Sequence, residues 1–138
     1  MNFLLNHSSQ TKKNIPISAL IIKNNAIISV ARNNLWDHAE FIAIKKAQKN
    51  LGHNSLSECI LLVTVEPCLM CVGAAINAGI KIIYFGCASE KSGIKSFHRI
   101  NELPIIHIIH LTGYEAQIER IIRSFFKKKR ILQKNNTI

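Results

Sequence analysis

A chain of 138 residues with 48% hydrophobic content can bury a core without disulfide help and is expected to fold as one domain over residues 1–138. No apolar run approaches the roughly 20 residues of a membrane span, and Met1 to Lys13 holds no signal-peptide core, so no membrane association and a cytoplasmic location are expected. A formal net charge of +10 points to a polyanionic partner, nucleic acid before membrane, although an Ile-, Lys- and Asn-rich composition explains part of that charge by itself. The densest basic cluster is Lys127-Lys128-Lys129-Arg130, followed by Lys134, in a basic tail over about 127–138.

In chain order, Met1 to Asn14 reads as a short helix with Phe3, Leu4 and Leu5 as its apolar contribution. Ile17 to Lys23 and Ala26 to Ala31 are β-branched runs separated by Asn24-Asn25, the signature of a hairpin. A polar loop, Arg32 to Asp37, leads to a helix opening at His38 with Asp37 as its N-cap, Phe41, Ile44, Ala47 and Leu51 at helical spacing, and Gly52 as its stop. Cys59 to Val65 has the length and continuity of a strand covered on both faces. A helix follows over Cys68 to Ala78, with Gly73, Ala74 and Ala75 allowing close packing, Met70, Val72 and Ile76 as core, and Gly79 as its end. Ile80 to Gly86 is a further buried strand. Ala88 to Glu102 is irregular and basic through Lys91, Lys95, His98 and Arg99. Ile105 to Leu111 is a fifth strand, with His107 and His110 as ordinary strand residues. Tyr114 to Leu132 is a helix whose apolar stripe is Ile118, Ile121, Ile122, Phe125 and Phe126. Hairpin strands followed by strands joined through crossover helices make an α/β sandwich whose later strands are parallel and whose two central helices begin at one end of the sheet.

The chemistry concentrates at those two helix starts. Cys68-Leu69-Met70-Cys71 places two thiols close enough to share one zinc ion, and His38 can supply a third ligand. Three protein ligands leave a fourth position for water, the catalytic arrangement, and Glu40 fits a general acid/base beside that water. His-x-Glu followed by Pro-Cys-x-x-Cys is the pattern of zinc nucleobase deaminases. Two other readings of the cysteines compete. A thioredoxin-like pair needs no upstream His-Ala-Glu and is ill served by Leu69-Met70. A structural zinc site would need a fourth protein ligand, for which Cys59, Cys87 and His53 are the candidates. Cys59 and Cys87 otherwise read as core residues on strands.

Beyond these motifs, Val63-Thr64-Val65-Glu66-Pro67-Cys68-Leu69-Met70-Cys71-Val72-Gly73-Ala74, Tyr84-Phe85-Gly86, Lys91-Ser92-Gly93 and the C-terminal Phe125-Phe126-Lys127-Lys128-Lys129-Arg130 resemble segments of the bacterial tRNA adenosine deaminases, within the cytidine-deaminase-like superfamily. The resemblance runs from about Ile15 to Arg130. It implies a three-layer α/β/α sandwich with a five-stranded mixed sheet, one zinc per subunit of a homodimer, and conversion of adenosine to inosine at the wobble position of a tRNA anticodon loop. By resemblance His38, Cys68 and Cys71 are zinc ligands and Glu40 the proton shuttle, while Asn33, Ala39, Phe126, Lys127 and Arg130 contact substrate. Two segments depart from the family pattern. Only Asn34-Leu35-Trp36-Asp37 separates Asn33 from His38 where the family has a longer loop, and Pro16-Ile17-Ser18-Ala19 carries Ser18 in place of a glycine, expected to narrow the pocket. The alternatives are a deaminase of free cytosine, guanine or a nucleoside, which needs no basic cluster, and an idle RNA-binding subunit with structural zinc, which has no use for Glu40.

Overall fold

The computed structural model describes residues 1–9, 13–96 and 105–135. Its elements are α1 (Asn2–Ser9), β1 (Ser18–Lys23), β2 (Ala26–Arg32), α2 (Ala39–Leu51), β3 (Ile60–Val65), α3 (Leu69–Asn77), β4 (Ile82–Cys87), a single 3-10 turn (Ile94–Ser96), β5 (His107–His110) and α4 (Glu115–Asn135). Asn24 and Asn25 both take positive φ, 50° and 61°, giving the turn whose twist matches a two-residue hairpin. Gly52 closes α2 at φ 72°, where its N–H returns to the carbonyls of Gln48 and Lys49.

The strands form one sheet in the order β2-β1-β3-β4-β5. β1 pairs antiparallel with both β2 and β3, whereas β4 lies parallel to β3 and β5 parallel to β4. Strand alternation then sorts the side chains into two layers. Ala19, Ile21, Leu61, Val63, Ile83 and Phe85 face α2 and α3, meeting Ala43, Ile44, Ala47, Val72 and Ala75. On the other face Leu20 and Leu62 meet Leu4 of α1, and Cys87 meets Leu5 and Ile118 of α1 and α4. Leu61, Val63, Ile83 and Phe85 are fully buried, each worth about 1.5–3 kcal/mol of transfer free energy, so the β3–β4 centre is the most strongly fixed part of the sheet.

Gly86 lets α4 lie close: a Cβ there would meet Ile118 Cδ1 at 2.6 Å and the Met1 methyl at 2.8 Å. Phe125 then borders a cleft shared with Pro16, just ahead of β1. α4 is thus fixed on β4 at Ile118 and on α1 at its flank.

Several boundaries differ from the sequence expectation. α1 ends at Ser9, short of Asn14, and β5 is four residues long, with Ile105 exposed ahead of it. α4 holds the basic run Lys127 to Arg130, as expected of a helix over Tyr114 to Leu132, and continues three residues further, to Asn135. Of its expected stripe only Ile118 and Phe125 are buried. Phe126 is 40% exposed, because it follows Phe125 by one residue and rotates about 100° away from the sheet. Met70, expected in the core, is 55% exposed on the outer side of α3. His98 and Arg99 lie outside the described residues.

Candidate metal centre

His38 and Cys68 occupy equivalent places: each is the extended N-cap residue of its helix, with ψ of 150° and 169°, and each carbonyl accepts the first helical hydrogen bond, from Ile42 and Val72. The expected capping by Asp37 does not occur. Asn34 takes the turn instead, its Oδ1 accepting from the N–H groups of Trp36 at 2.8 Å and Asp37 at 2.7 Å. With both side chains projecting from helix starts at one end of the sheet, His38 Nδ1 stands 3.3 Å from Cys71 Sγ and 3.6 Å from Cys68 Sγ.

All three donor atoms lie within 4.8 Å of one another, and among the described residues no fourth His, Cys, Asp or Glu joins them. Tetrahedral zinc with Zn–S of about 2.3 Å and Zn–N of about 2.0–2.1 Å requires N···S edges of about 3.5 Å, so this set fits that ion. Cys59, Cys87 and His53 stay apart. Cys59 precedes β3 at the opposite end of the sheet, Cys87 points to the α4 face, and His53 follows the far end of α2.

His38 and Cys68 open onto a pocket of about 200 Å³, while Cys71 is fully buried beside them. Asn33, Ala39, Glu40 and Glu66 line it, as do Ile15, Ile17, Val65, Ser89 and Ser92. Glu40 is 4% exposed, and burial is the main force raising its carboxyl pKa, opposed by a hydrogen bond to its own backbone and by nearby His38. Burial likewise pushes the Cys71 thiol far up, helped by Glu40 and Cys68. Asn33 is pinned to the pocket wall, its N–H donating to Ile17 O at 3.1 Å and its Oδ1 accepting from Ile17 N at 3.4 Å.

Glu66 lines the same pocket, but its carboxylate is already engaged by backbone donors. Its carboxylate accepts from Ser89 N at 3.0 Å and Lys95 N at 2.8 Å, holding the segment after β4 against the strand-to-helix turn. A Cβ at Gly93 would meet that carboxylate at 2.5 Å, which accounts for the glycine of Lys91-Ser92-Gly93. Ser89 and Ser92 are 3.0 Å apart through their hydroxyls; Ser92 sits in the Lys91-Ser92-Gly93 segment, whereas Ser89 does not stand out in the sequence. The signal available there is Glu66, a buried acceptor at a strand end in need of donors from elsewhere.

Ser18 does not narrow this pocket. It is fully buried on the opposite side, its hydroxyl 3.2 Å from His7 Nδ1 and its N–H on Thr64 Oγ1. Phe126, Lys127 and Arg130 are exposed on α4, and none of them lines the pocket. Next door lies a second cleft of about 590 Å³, bordered by Lys13, Pro16, Arg120, Phe125, Lys128 and Lys129. Alternate residues of one extended segment divide the two: Ile15 and Ile17 face the donor pocket and Pro16 the basic cleft.

The family described as MafB19-like deaminase matches residues 2–130. A tRNA-specific adenosine deaminase of Aquifex aeolicus (strain VF5) is 33% identical over 128 residues, 86% of this chain and 85% of that protein. A solved chain from studies of A-to-I editing by tRNA deaminases at the wobble position of transfer RNA superposes with a TM-score of 0.74 at 28% identity, over 88% of this chain and 96% of that one. A guanine deaminase from Bacillus subtilis shares 40% identity over 53% of this chain and 50% of its own, with a TM-score of 0.51.

Proposed function

The chain belongs to the MafB19-like deaminase family, and from that premise we propose that it hydrolyses adenosine to inosine at the wobble position of a tRNA anticodon loop, as a zinc-dependent cytoplasmic homodimer. The observation that carries the chemistry is the convergence of His38 Nδ1, Cys68 Sγ and Cys71 Sγ, with His38 and Cys68 on the wall of a pocket that also holds Glu40. These three residues would hold a zinc ion, which when bound would supply Lewis-acid activation of a water molecule at neutral pH. Glu40, buried beside them, would take one proton from the water that attacks C6 and deliver it to N1 of the adenine, then take the remaining hydroxyl proton and pass it to the amine, so that the C6–N bond breaks, ammonia leaves and a C6 carbonyl remains. Asn33 positions the base, with Ala39 and Ile17 closing its sides and excluding bulk water. A pocket of about 200 Å³ is below the roughly 300–1,000 Å³ that takes drug-sized ligands, which suits one extruded base.

For an RNA substrate the support is the relatives' tRNA activity together with the +10 charge and the basic cleft across the Ile15–Ile17 wall. Phe126, Lys127 and Arg130 extend that basic surface along α4 toward the rest of the tRNA. For pairing of two copies the support is α3, where Leu69 (48%) and Met70 (55%) are exposed beside Gly73 on the helix that carries the cysteines. Incubation of the zinc-loaded protein with total tRNA, followed by mapping of inosine by sequencing, tests the assignment. Inosine at a wobble position is the expected result, and tRNA left unchanged rejects it. The guanine deaminase likeness favours a free purine as the second reading, and ammonia release from guanine faster than from tRNA would establish it.

A further inference from the structure

The loop that is short in this chain ends in an exposed apolar pair. Leu35 is 77% exposed and Trp36 86%, the most exposed of the large hydrophobic side chains among the described residues. Single exposed apolar residues are ordinary on protein surfaces, but an indole standing free beside a reaction pocket is a different matter. Trp36 lies three residues after Asn33 and two before His38, and both of those line the pocket. Two residues span at most about 7 Å of backbone, so Trp36 stands at the pocket rim.

The backbone carrying it is fixed at both ends. Asn34 Oδ1 accepts from Trp36 N and Asp37 N, Asn34 N donates to Asp37 O at 3.0 Å, and Asn33 is bonded twice to Ile17. Exposure of the ring is therefore a property of a defined loop. Ordering such a ring on binding restricts only two side-chain torsions, and an aromatic face accepts any base because every base has a π-face. The surrounding chain is cationic and the proposed target base must leave its stack to reach the pocket, which strips its neighbour of a stacking partner.

We propose that Trp36 is a stacking platform for the nucleobase next to the deaminated one in the bound RNA loop. This rests on the RNA-editing reading above. It makes Trp36 a specificity-determining residue for a strand over a free base, since a free purine has no neighbour to stack.

Trp36 is the only tryptophan in the chain, so its fluorescence reports on the stacking directly. Titrating the zinc-loaded protein with an anticodon stem-loop RNA should quench the emission with the same midpoint as filter binding. The same RNA made abasic at the position next to the target should bind with little quenching. Trp36→Ala should raise KM for the stem-loop by roughly 5- to 150-fold with kcat nearly unchanged and zinc retained, and Trp36→Phe should keep most of the affinity. RNA that is bound and deaminated with the emission unchanged, or a Trp36→Ala variant with the parental KM, overturns this inference and leaves the editing assignment standing. Emission that shifts to the blue with protein concentration in the absence of RNA means that a second copy covers the indole, and also overturns it. Failure to bind or deaminate RNA at all removes both.

Discussion

Glu40 is a carboxyl almost wholly shielded from solvent, held against Cys71 and within the field of His38. Burial disfavours its charge, so the group is poised to accept a proton and to give it up again, which a solvated glutamate does less readily. Glu40→Gln keeps the shape and the hydrogen-bonding reach, and should retain zinc and fold while deamination falls by about 10²–10⁴-fold. Elemental analysis beside single-turnover assays checks both halves. A second residue, His7, illustrates linkage. Burial is the largest cause of its lowered pKa, followed by the charges of Arg32 and Lys46. The unfolded chain, with His7 near 6.5, therefore binds the proton more readily than the native state. The stability this neutral ring contributes is present above pH 6.5, declines as pH falls from there toward the folded value, and is constant below it. Thermal midpoints measured from pH 7.5 to 5.5 should fall more steeply for the parent than for His7→Gln.

At the scale of elements, the segment after β4 depends on Gly93 and the α3 surface on Met70. Gly93→Ala forces a methyl into the Glu66 carboxylate at 2.5 Å, an overpacking that should cost about 1–3 kcal/mol in denaturant unfolding. It should also raise KM, because Ser89 and Ser92 move with the segment. Met70→Lys places a charge at the centre of the exposed α3 strip, and light scattering should show dimers giving way to monomers. The strands, the hairpin turn and the metal donors were legible in the sequence because each is written locally: Asn24-Asn25 for the turn, an apolar run for β3, two cysteines at fixed spacing. Asn34 as the organiser of the turn before α2, the inward side of Ser18 and the exposure of Met70 and Phe126 were not. Each depends on which way a side chain points once helices pack on the sheet, and periodicity alone gives an apolar stripe without its edges. Ser89 is held at the pocket by Glu66, a tie across 23 positions that no short motif encodes.

Taken whole, the molecule concentrates seven of its 18 Lys and Arg residues on α4, along the cleft next to the donor pocket. Replacing Lys127, Lys128, Lys129 and Arg130 by Ala should weaken tRNA binding and flatten its salt dependence by about 0.7–0.9 in the log–log slope for each phosphate that is no longer neutralised. Zinc content should stay at the parental value. The β1–β3 seam joins the two halves of the sheet, and it also divides the donors. His38 and Asn33 belong to the hairpin half, while Cys68 and Cys71 belong to the crossover half, His38 and Cys68 being 30 positions apart in the chain. Bringing those donors together means closing a long loop, a cost in chain entropy that the growing sheet must meet first. The three-donor site is complete only where both halves have met: the hairpin half alone has the imidazole without the thiols, and the β3–α3–β4 half alone has the thiols without the imidazole. An ion bound by all three would tie the two halves together, a clasp across the β1–β3 seam.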